Sequence, residues 1–430
     1  MKKIIFLFIT ISNNLSAQQP LQLSTAINIA LKNSLNIQLA KNTVQSNTIL
    51  NNYGVAGGLP AINGSATDNE QVTTINQKLS TGTDINRSGA SGNSLSAGVN
   101  AGILLYNGMH VVATKNRLAE LENQSEKLLN SQIQNTIASV MTGYYDVIRQ
   151  QSYLKTLNLS IAVSQQKLDI IKVQQSVGLA NNADLFQAEV DLNTTLQTSQ
   201  SQQLIIDQSK TELLRLMNVK IDSTINIEDT ILVDSTIRYD DINLGLQNNA
   251  DILAAADQIK INELIVKETA ALRYPSIRVS TGYNYARSQT QAGFTLLNQS
   301  YGPFLGLSLA IPIYNGSAYK RQQKVAEINI QSAELQRQNL IKDYTADAVK
   351  MYEAYQNNLQ QLQTAKQNYL LSQQLLALVL QRFQLRVATI VDLKIAQQSF
   401  ENAGFVLINL SFAAKSAEIE LKRLANSLSF

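Results

Sequence analysis

The chain of 430 residues has no cysteine and no tryptophan, one histidine and five prolines. Without cysteine it forms no disulfide, holds no thiolate-bound metal and carries no lipidated N-terminal cysteine. The single histidine, His110, stands beside a turn signal and reads as a polar residue at a helix start; one imidazole does not make a metal centre or an acid–base pair. Charge is sparse as well, at 16% of residues against about a quarter in an ordinary soluble domain. Asn, Gln, Ser and Thr take its place, which makes the surface wet and nearly neutral. The formal net charge is +3 and drops to 3 − 2 = 1 once Lys2 and Lys3 leave with an N-terminal leader, so nothing here asks for nucleic acid. No phosphate-binding Gly-Lys-Ser loop, paired catalytic carboxylates or Ser/His/Asp set is apparent. The residues therefore give no sign of an enzyme, a cofactor or a metal site.

Long hydrophobic runs are also missing. Lys2 and Lys3 precede the apolar stretch Ile4 to Ile11, and Leu15-Ser16-Ala17 precede Gln18-Gln19-Pro20, the pattern of a signal peptide over residues 1–17 with a mature start at Gln18. After it, no apolar run approaches the eighteen or so residues of a membrane helix, and Leu375 to Leu380 is a core patch. If the mature chain spans a membrane, it does so with strands.

The prolines at positions 20, 60, 275, 303 and 312 punctuate the chain start and two strand-like regions. From Pro275, the residues Ile277, Val279, Thr281, Tyr283 and Tyr285 alternate with Arg278, Ser280, Gly282 and Asn284. The alternation resumes with Leu305, Leu307, Leu309, Ile311 and Ile313 opposite Gly306, Ser308 and Ala310. Period two predicts two strands of about ten residues, apolar on one face and small or polar on the other, the pattern of a membrane-barrel wall. On this reading Leu305, Leu307 and Leu309 face lipid. A second pair is predicted from Ile62 to Val72 and from Leu95 to Leu105. Four strands are too few for a closed barrel, whose smallest members have eight, so the rest should come from further copies of the chain.

Helices own the remainder. Met109 to Val177 contains only Gly143 as a breaker, and Ser317 to Leu385 contains neither Gly nor Pro; either run extends about 100 Å as one helix. Asp184 to Asn218 and Asp392 to Phe430 predict shorter return helices. Leu118, Leu121 and Leu128, like Val325, Ile328 and Leu335, recur at three-and-four spacing suited to coiled-coil packing.

The chain repeats itself once. AINIALKNSLNIQLA from Ala26 matches DINLGLQNNADILAA from Asp241, and Pro60 falls on Pro275 at the same offset, 241 − 26 = 215. Past the first strand the offset becomes 316 − 108 = 208, carrying Tyr106-Asn107-Gly108 onto Tyr314-Asn315-Gly316, Tyr144 onto Tyr352 and Asp184-Leu185 onto Asp392-Leu393. The expected organisation is a first repeat over 18–218, a strand-prone acidic joint over 219–240 and a second repeat over 241–430. Each repeat is a helix, two strands (near 60–106 and 275–314), a very long helix and a return helix. Tyr144 and Tyr352 read as helix-packing residues or, less simply, as substrate contacts.

These residues resemble the TolC-like outer-membrane efflux proteins over essentially the whole mature chain. The resemblance is carried by LSTAINIALKNSLNIQLAKN from Leu23, the strand starts at Pro60 and Pro275, the Tyr-Asn-Gly strand exits, the duplication and LRVATIVDLKIAQQSFENA from Leu385. It implies a mainly α fold with a β-hairpin part: a homotrimer whose twelve-stranded β-barrel sits in outer-membrane lipid and continues as a periplasmic α-helical barrel. It further implies a passive exit duct that works with a periplasmic adaptor (membrane fusion) protein and an inner-membrane pump to export small molecules or proteins. The reading from another class is an exported coiled-coil structural or adhesin-like surface protein, which does not account for two alternating hairpins at matched places.

The resemblance also implies that the two turns between long and return helices, Leu179 to Asp184 and Val387 to Asp392, form the periplasmic entrance. There Asp392 falls on an acidic-ring position, with Asp184 as its counterpart. Three features depart from the family pattern: Ile395 stands where a second aspartate would strengthen the ring, Arg386 stands opposite Gly178, and Phe383 lacks a tyrosine's hydroxyl. Read from the residues alone, Asn181-x-x-Asp184 and Thr389-x-x-Asp392 are helix-capping pairs, a role compatible with a place in the ring.

Overall fold

The two long stretches nearly free of helix breakers become the two longest elements of the chain. In the computed structural model residues 20–429 are described; the expected signal peptide and the expected mature start at Gln18 lie outside them. In chain order the elements are α1 (Leu23–Asn33), α2 (Leu35–Leu50), β1 (Ala61–Lys78), β2 (Asp84–Asn107), α3 (His110–Ser176), α4 (Asn182–Met217), α5 (Tyr239–Leu246), α6 (Ala250–Ala271), β3 (Ser276–Thr290), β4 (Leu297–Ala310), α7 (Ala318–Gln384) and α8 (Ile390–Leu424). Helices α3 and α7 are each 67 residues long. No helix among the described residues is long and apolar enough to cross a membrane. Eight of the residues with left-handed backbone fall in four pairs 386 − 178 = 208 apart: Gly108 and Gly316, Met109 and Ser317, Gly178 and Arg386, Asn218 and Asn426.

The chain divides into two units. One holds residues 40–129 and 250–341 and contains all four strands. They form one antiparallel sheet in the order β1-β2-β3-β4. Its register brings the sequence-predicted apolar residues onto one face: Leu305, Leu307 and Leu309 pair with Thr281, Val279 and Ile277, and Val279 pairs in turn with Ile103. The other face carries rows such as Asn63, Asn100, Gly282 and Phe304. A side-chain carbon at Gly282 would lie 2.4 Å from the Val99 carbonyl oxygen and 2.9 Å from the Phe304 ring, so only glycine leaves room for that ring to lie across the strand.

Here the structure corrects the strand lengths. The strands run 18, 24, 15 and 14 residues rather than about ten, because β1 and β2 continue past the apolar rows on Thr, Asn and Ser, which pair as well through their backbones. Strand β4 ends at Ala310, which leaves Ile311 and Ile313 outside it. The register slips between Leu104 and Tyr106, so Tyr106 rather than Leu105 pairs with Ile277; this is a bulge that re-aims the strand end. Near the sheet's helices, Arg117 binds Glu268 at 2.8 Å, and Glu122 accepts hydrogen bonds from Thr48 at 2.7 Å and Asn51 at 2.5 Å, fastening α3 to α6 and α2.

The other unit comprises residues up to 39, 130–249 and 342–430 and is built from helices. One core cluster gathers Ile27, Ile137, Tyr144, Ile148, Leu213 and Met217; another gathers Ile242, Leu246, Tyr355 and Leu421; a third lies under the helix turns. The joint before α5 contains no strand. Its alternating residues instead lay one side of an extended chain against two of these clusters, with Ile225, Ile227 and Ile231 on the first and Val233 and Ile237 on the second. The Tyr144 hydroxyl donates to the Leu21 carbonyl at 2.9 Å and to Asp229 at 3.3 Å, and the Tyr355 hydroxyl donates to the Asp234 carbonyl. Thus Tyr355, not the repeat-matched Tyr352, is the fully buried tyrosine that fastens the joint in the second half.

Candidate functional site

Both helix turns are closed by the same two devices. At the end of α3 the Leu179 N–H donates to the Gln174 carbonyl at 2.7 Å and the Gly178 N–H to Gln175 at 2.9 Å. At the end of α7 the Val387 N–H donates to Arg382 at 2.8 Å and the Arg386 N–H to Phe383 at 3.1 Å. This is the Schellman pattern, which needs one left-handed residue. Gly178 supplies it at φ 79°, Arg386 at φ 63°. A side chain in that conformation is strained, so Arg386 is a place where the chain departs from the locally easiest residue.

The return helices begin with side-chain caps. Asn181 Oδ1 accepts from the Asp184 N–H at 2.8 Å, but Asp184 makes no reciprocal bond to Asn181. Thr389 forms a full capping box: its hydroxyl oxygen accepts from the Asp392 N–H at 3.1 Å, and Asp392 Oδ2 accepts from the Thr389 N–H at 2.8 Å. The Thr389 hydroxyl also lies 2.8 Å from Asp392 Oδ2. Bonds from the Thr389 backbone and hydroxyl favour the charged form and hold the Asp392 carboxyl below the usual carboxylate range, with Arg382 adding to the effect.

Beside the second turn lies a cavity of about 290 Å³ lined by Arg382, Asp392, Leu375, Val379, Ala388, Ile395 and Ala396. Of the sequence-predicted residues, Asp392 and Thr389 come together in the box, and Asn181 with Asp184 in the simpler cap. Phe383 joins neither cap. It is 5% exposed and packs with Leu168, Ile171, Leu376, Leu393 and Phe400 in the cluster under the turns, as an apolar ring on an inward helix face must. The cation that acts on Asp392 is Arg382, four positions before the expected Arg386. Exposed apolar side chains crowd both turns, including Val177, Leu179 and Phe186 in the first and Leu385, Val387 and Ile395 in the second.

Sequence reasoning missed the polar layer beneath the turns. Lys167 on α3 binds Asp191 Oδ2 on α4 at 2.6 Å, and Lys394 on α8 binds Asp191 Oδ1 at 3.0 Å. The Lys167 side chain is 1% exposed. Burial acts to raise the Asp191 carboxyl, and hydrogen bonds from Lys167, Lys394 and Gln187 outweigh it, leaving it below its ordinary value. Next to this, the Gln397 amide donates to the Ser160 and Ser164 hydroxyl oxygens at 2.5 and 2.8 Å, and Ser160 donates to Glu401. Three helices are locked by charge and amide contacts just under the two turns. The only sequence signal was a lysine inside the apolar spacing of α3, which by itself does not name a partner.

The chain thus combines an antiparallel sheet with one apolar face, long helices with few charged residues and two capped turns. The family model for outer membrane efflux proteins matches residues 26–219 and 242–427, and the chain belongs to that family. Among curated proteins it is similar to toxin and drug export protein A of Aggregatibacter actinomycetemcomitans, at 22% identity over 405 residues, covering 92% of this chain and 84% of that one. Among solved structures it is similar to the outer membrane protein VceC of Vibrio cholerae, with TM-score 0.76, 18% identity and coverage of 94% and 96% of the two chains. It is also similar to the open state of the MtrE outer membrane channel of Neisseria gonorrhoeae, with TM-score 0.74, 16% identity and coverage of 94% and 88%. At these identities the structural likeness speaks for the fold.

Proposed function

We propose that the protein is a passive exit duct of the cell outer membrane, extending into the periplasm, through which an inner-membrane pump and a periplasmic adaptor export small molecules or proteins. The observation that carries this reading is the sheet itself: four antiparallel strands, one apolar face, and pairing partners on one side only for β1 and β4. Open edges do not persist in lipid, where every backbone donor and acceptor needs a partner. Three copies supply twelve strands, an even number within the range of bacterial barrels. Leu305, Leu307 and Leu309 then face lipid and the Asn, Ser and Gly rows face the lumen. The name of the relative, toxin and drug export protein A, fits this use.

In this duct the turns carrying Asp184, Arg386, Thr389, Asn181 and Asp392 stand at the periplasmic entrance, and Asp392 adds a lumen charge to its capping role. Arg382 offsets that charge, so cation preference there is modest. Phe383 supports the entrance from the core below. Purified protein inserted into planar bilayers tests the reading: it forms discrete channels and migrates as a heat-modifiable oligomer on a gel. A protein that is water-soluble without detergent and gives no channels contradicts it.

A further inference from the structure

The sheet face opposite the leucines is polar and almost free of charge; Arg87, opposite Ile75 above the bulge, lies at its far end, and the paired rows below hold one charged residue. From the row of Arg278, Leu104 and Ser308 up to the row of Thr290, Gly92 and Gln71, every other residue on this face is Asn, Ser, Thr, Gln, Gly, Ala, Leu or Phe. Asp68, Glu70 and Arg287 lie in rows of the other face. The Arg278 side chain is exposed and reaches toward the diagonal neighbour on β2: a carbon added to Gly102 would stand 3.7 Å from Arg278 Nη1. The glycines at 102 and 306 flank it in the adjoining row, so the guanidinium projects from a low floor with no carboxylate on its face to neutralise it.

We infer that Arg278 sets the ion preference of the strand-lined pore, giving it an anion-favouring ring of three guanidinium groups. This rests on the duct reading above, which places the polar face inward and brings three copies together. A guanidinium stays charged at every working pH, and rings of basic side chains select anions in pores. The lumen has no other fixed charge in these rows to oppose it. The ring acts on what passes by long-range attraction rather than by a binding pocket, favouring anionic cargo over cationic cargo of the same size. Its reach is set by salt: the screening length is about 30 Å at 0.01 M and about 3 Å at 1 M.

The chain's lack of cysteine makes the test clean, because one introduced thiol is unique. Reversal potentials are read for wild type, Arg278→Gln, Arg278→Lys and Arg278→Cys channels across a potassium chloride gradient, at low and at molar salt. The expected result at about 10 mM is a fall of about threefold in chloride-over-potassium permeability for Arg278→Gln, shrinking to nothing at 1 M, with Arg278→Lys as wild type. Arg278→Cys then regains anion preference when labelled with a trimethylammonium methanethiosulfonate and turns toward cations with the sulfonate reagent. Val279→Cys, on the leucine face, responds to neither. Conducting Arg278→Gln and labelled Arg278→Cys channels with wild-type reversal potentials overturn the inference while leaving the duct intact, as does a Val279→Cys response equal to that of Arg278→Cys. A wild-type protein that forms no channel overturns the duct reading and the ring with it.

Discussion

Removing the Asp191 carboxylate exposes how the layer under the helix turns is held. In Asp191→Ala, Lys394 keeps access to water at 45% exposure, but Lys167 at 1% is left with a buried ammonium and no counter-charge. Removing one partner of a buried pair costs about 3–5 kcal/mol, mostly the penalty of the stranded charge. Lys167→Met is the informative companion, since methionine fills the volume of the lysine stem and leaves Asp191 paired with Lys394 and Gln187; it should cost about 1 kcal/mol. The double variant Asp191→Ala/Lys167→Met should then recover most of the single variant's loss, to within about 2 kcal/mol of wild type. Denaturant unfolding followed by helical circular dichroism on detergent-solubilised protein gives the four values. The pH dependence has a definite sign: the folded Asp191 carboxyl lies below its unfolded value, so its contribution is fully present above about pH 4 and is lost as pH falls through the folded value. If Asp191→Ala costs less than about 1 kcal/mol, or the double variant is no more stable than the single one, Lys167 does not depend on Asp191 and the account of this layer is wrong.

Further outcomes follow from the turns and the sheet. Thr389→Ala removes the hydroxyl of the capping box and should cost about 1 kcal/mol. Asp392→Asn should leave folding nearly intact while shifting the reversal potential modestly toward anions in planar bilayers; an unchanged reversal potential with a lower melting temperature would make Asp392 a helix cap alone. Because bonds from Thr389 hold the Asp392 carboxyl down, the box persists above the ordinary carboxylate range and opens as pH falls through the folded value. Arg386→Gly relieves a left-handed side chain at φ 63° and should stabilise by about 0.5 kcal/mol net of glycine's entropy, read as a rise in denaturation midpoint. Leu307→Arg should cost about 2–4 kcal/mol near the membrane midplane, whereas Ser308→Arg on the opposite face should fold normally and alter conductance; equal behaviour of the two would reverse the facing assignment.

Much of this architecture was legible because it rests on local rules. The stretch from Ser317 to Leu385 lacks both Gly and Pro, and α7 fills nearly all of it. Alternation from Ile277 to Tyr285 and from Leu305 to Leu309 predicted which residues share a face, and the register agrees. The same rule misled between Asn218 and Tyr239. There Ile225, Ile227, Ile231 and Val233 alternate as in a strand, yet one side of an unpaired extended chain buries on helices and gives the identical pattern. The upper parts of β1 and β2 were silent because Thr, Asn and Ser on both faces leave no hydropathy period to read. Capping was readable at Thr389 and Asp392, three residues apart in sequence. The Lys167, Asp191 and Lys394 bridge was not, since it depends on the rotational phase of three helices, and neither was Arg382 as the cation beside Asp392.

The claim on which the rest depends is that three chains close one barrel, and native mass spectrometry of the unheated, detergent-extracted protein measures it most directly. The account predicts a species of three chains that heating converts to single chains, with channel activity confined to the three-chain form. A monomer, or an active assembly of any other number, would contradict it.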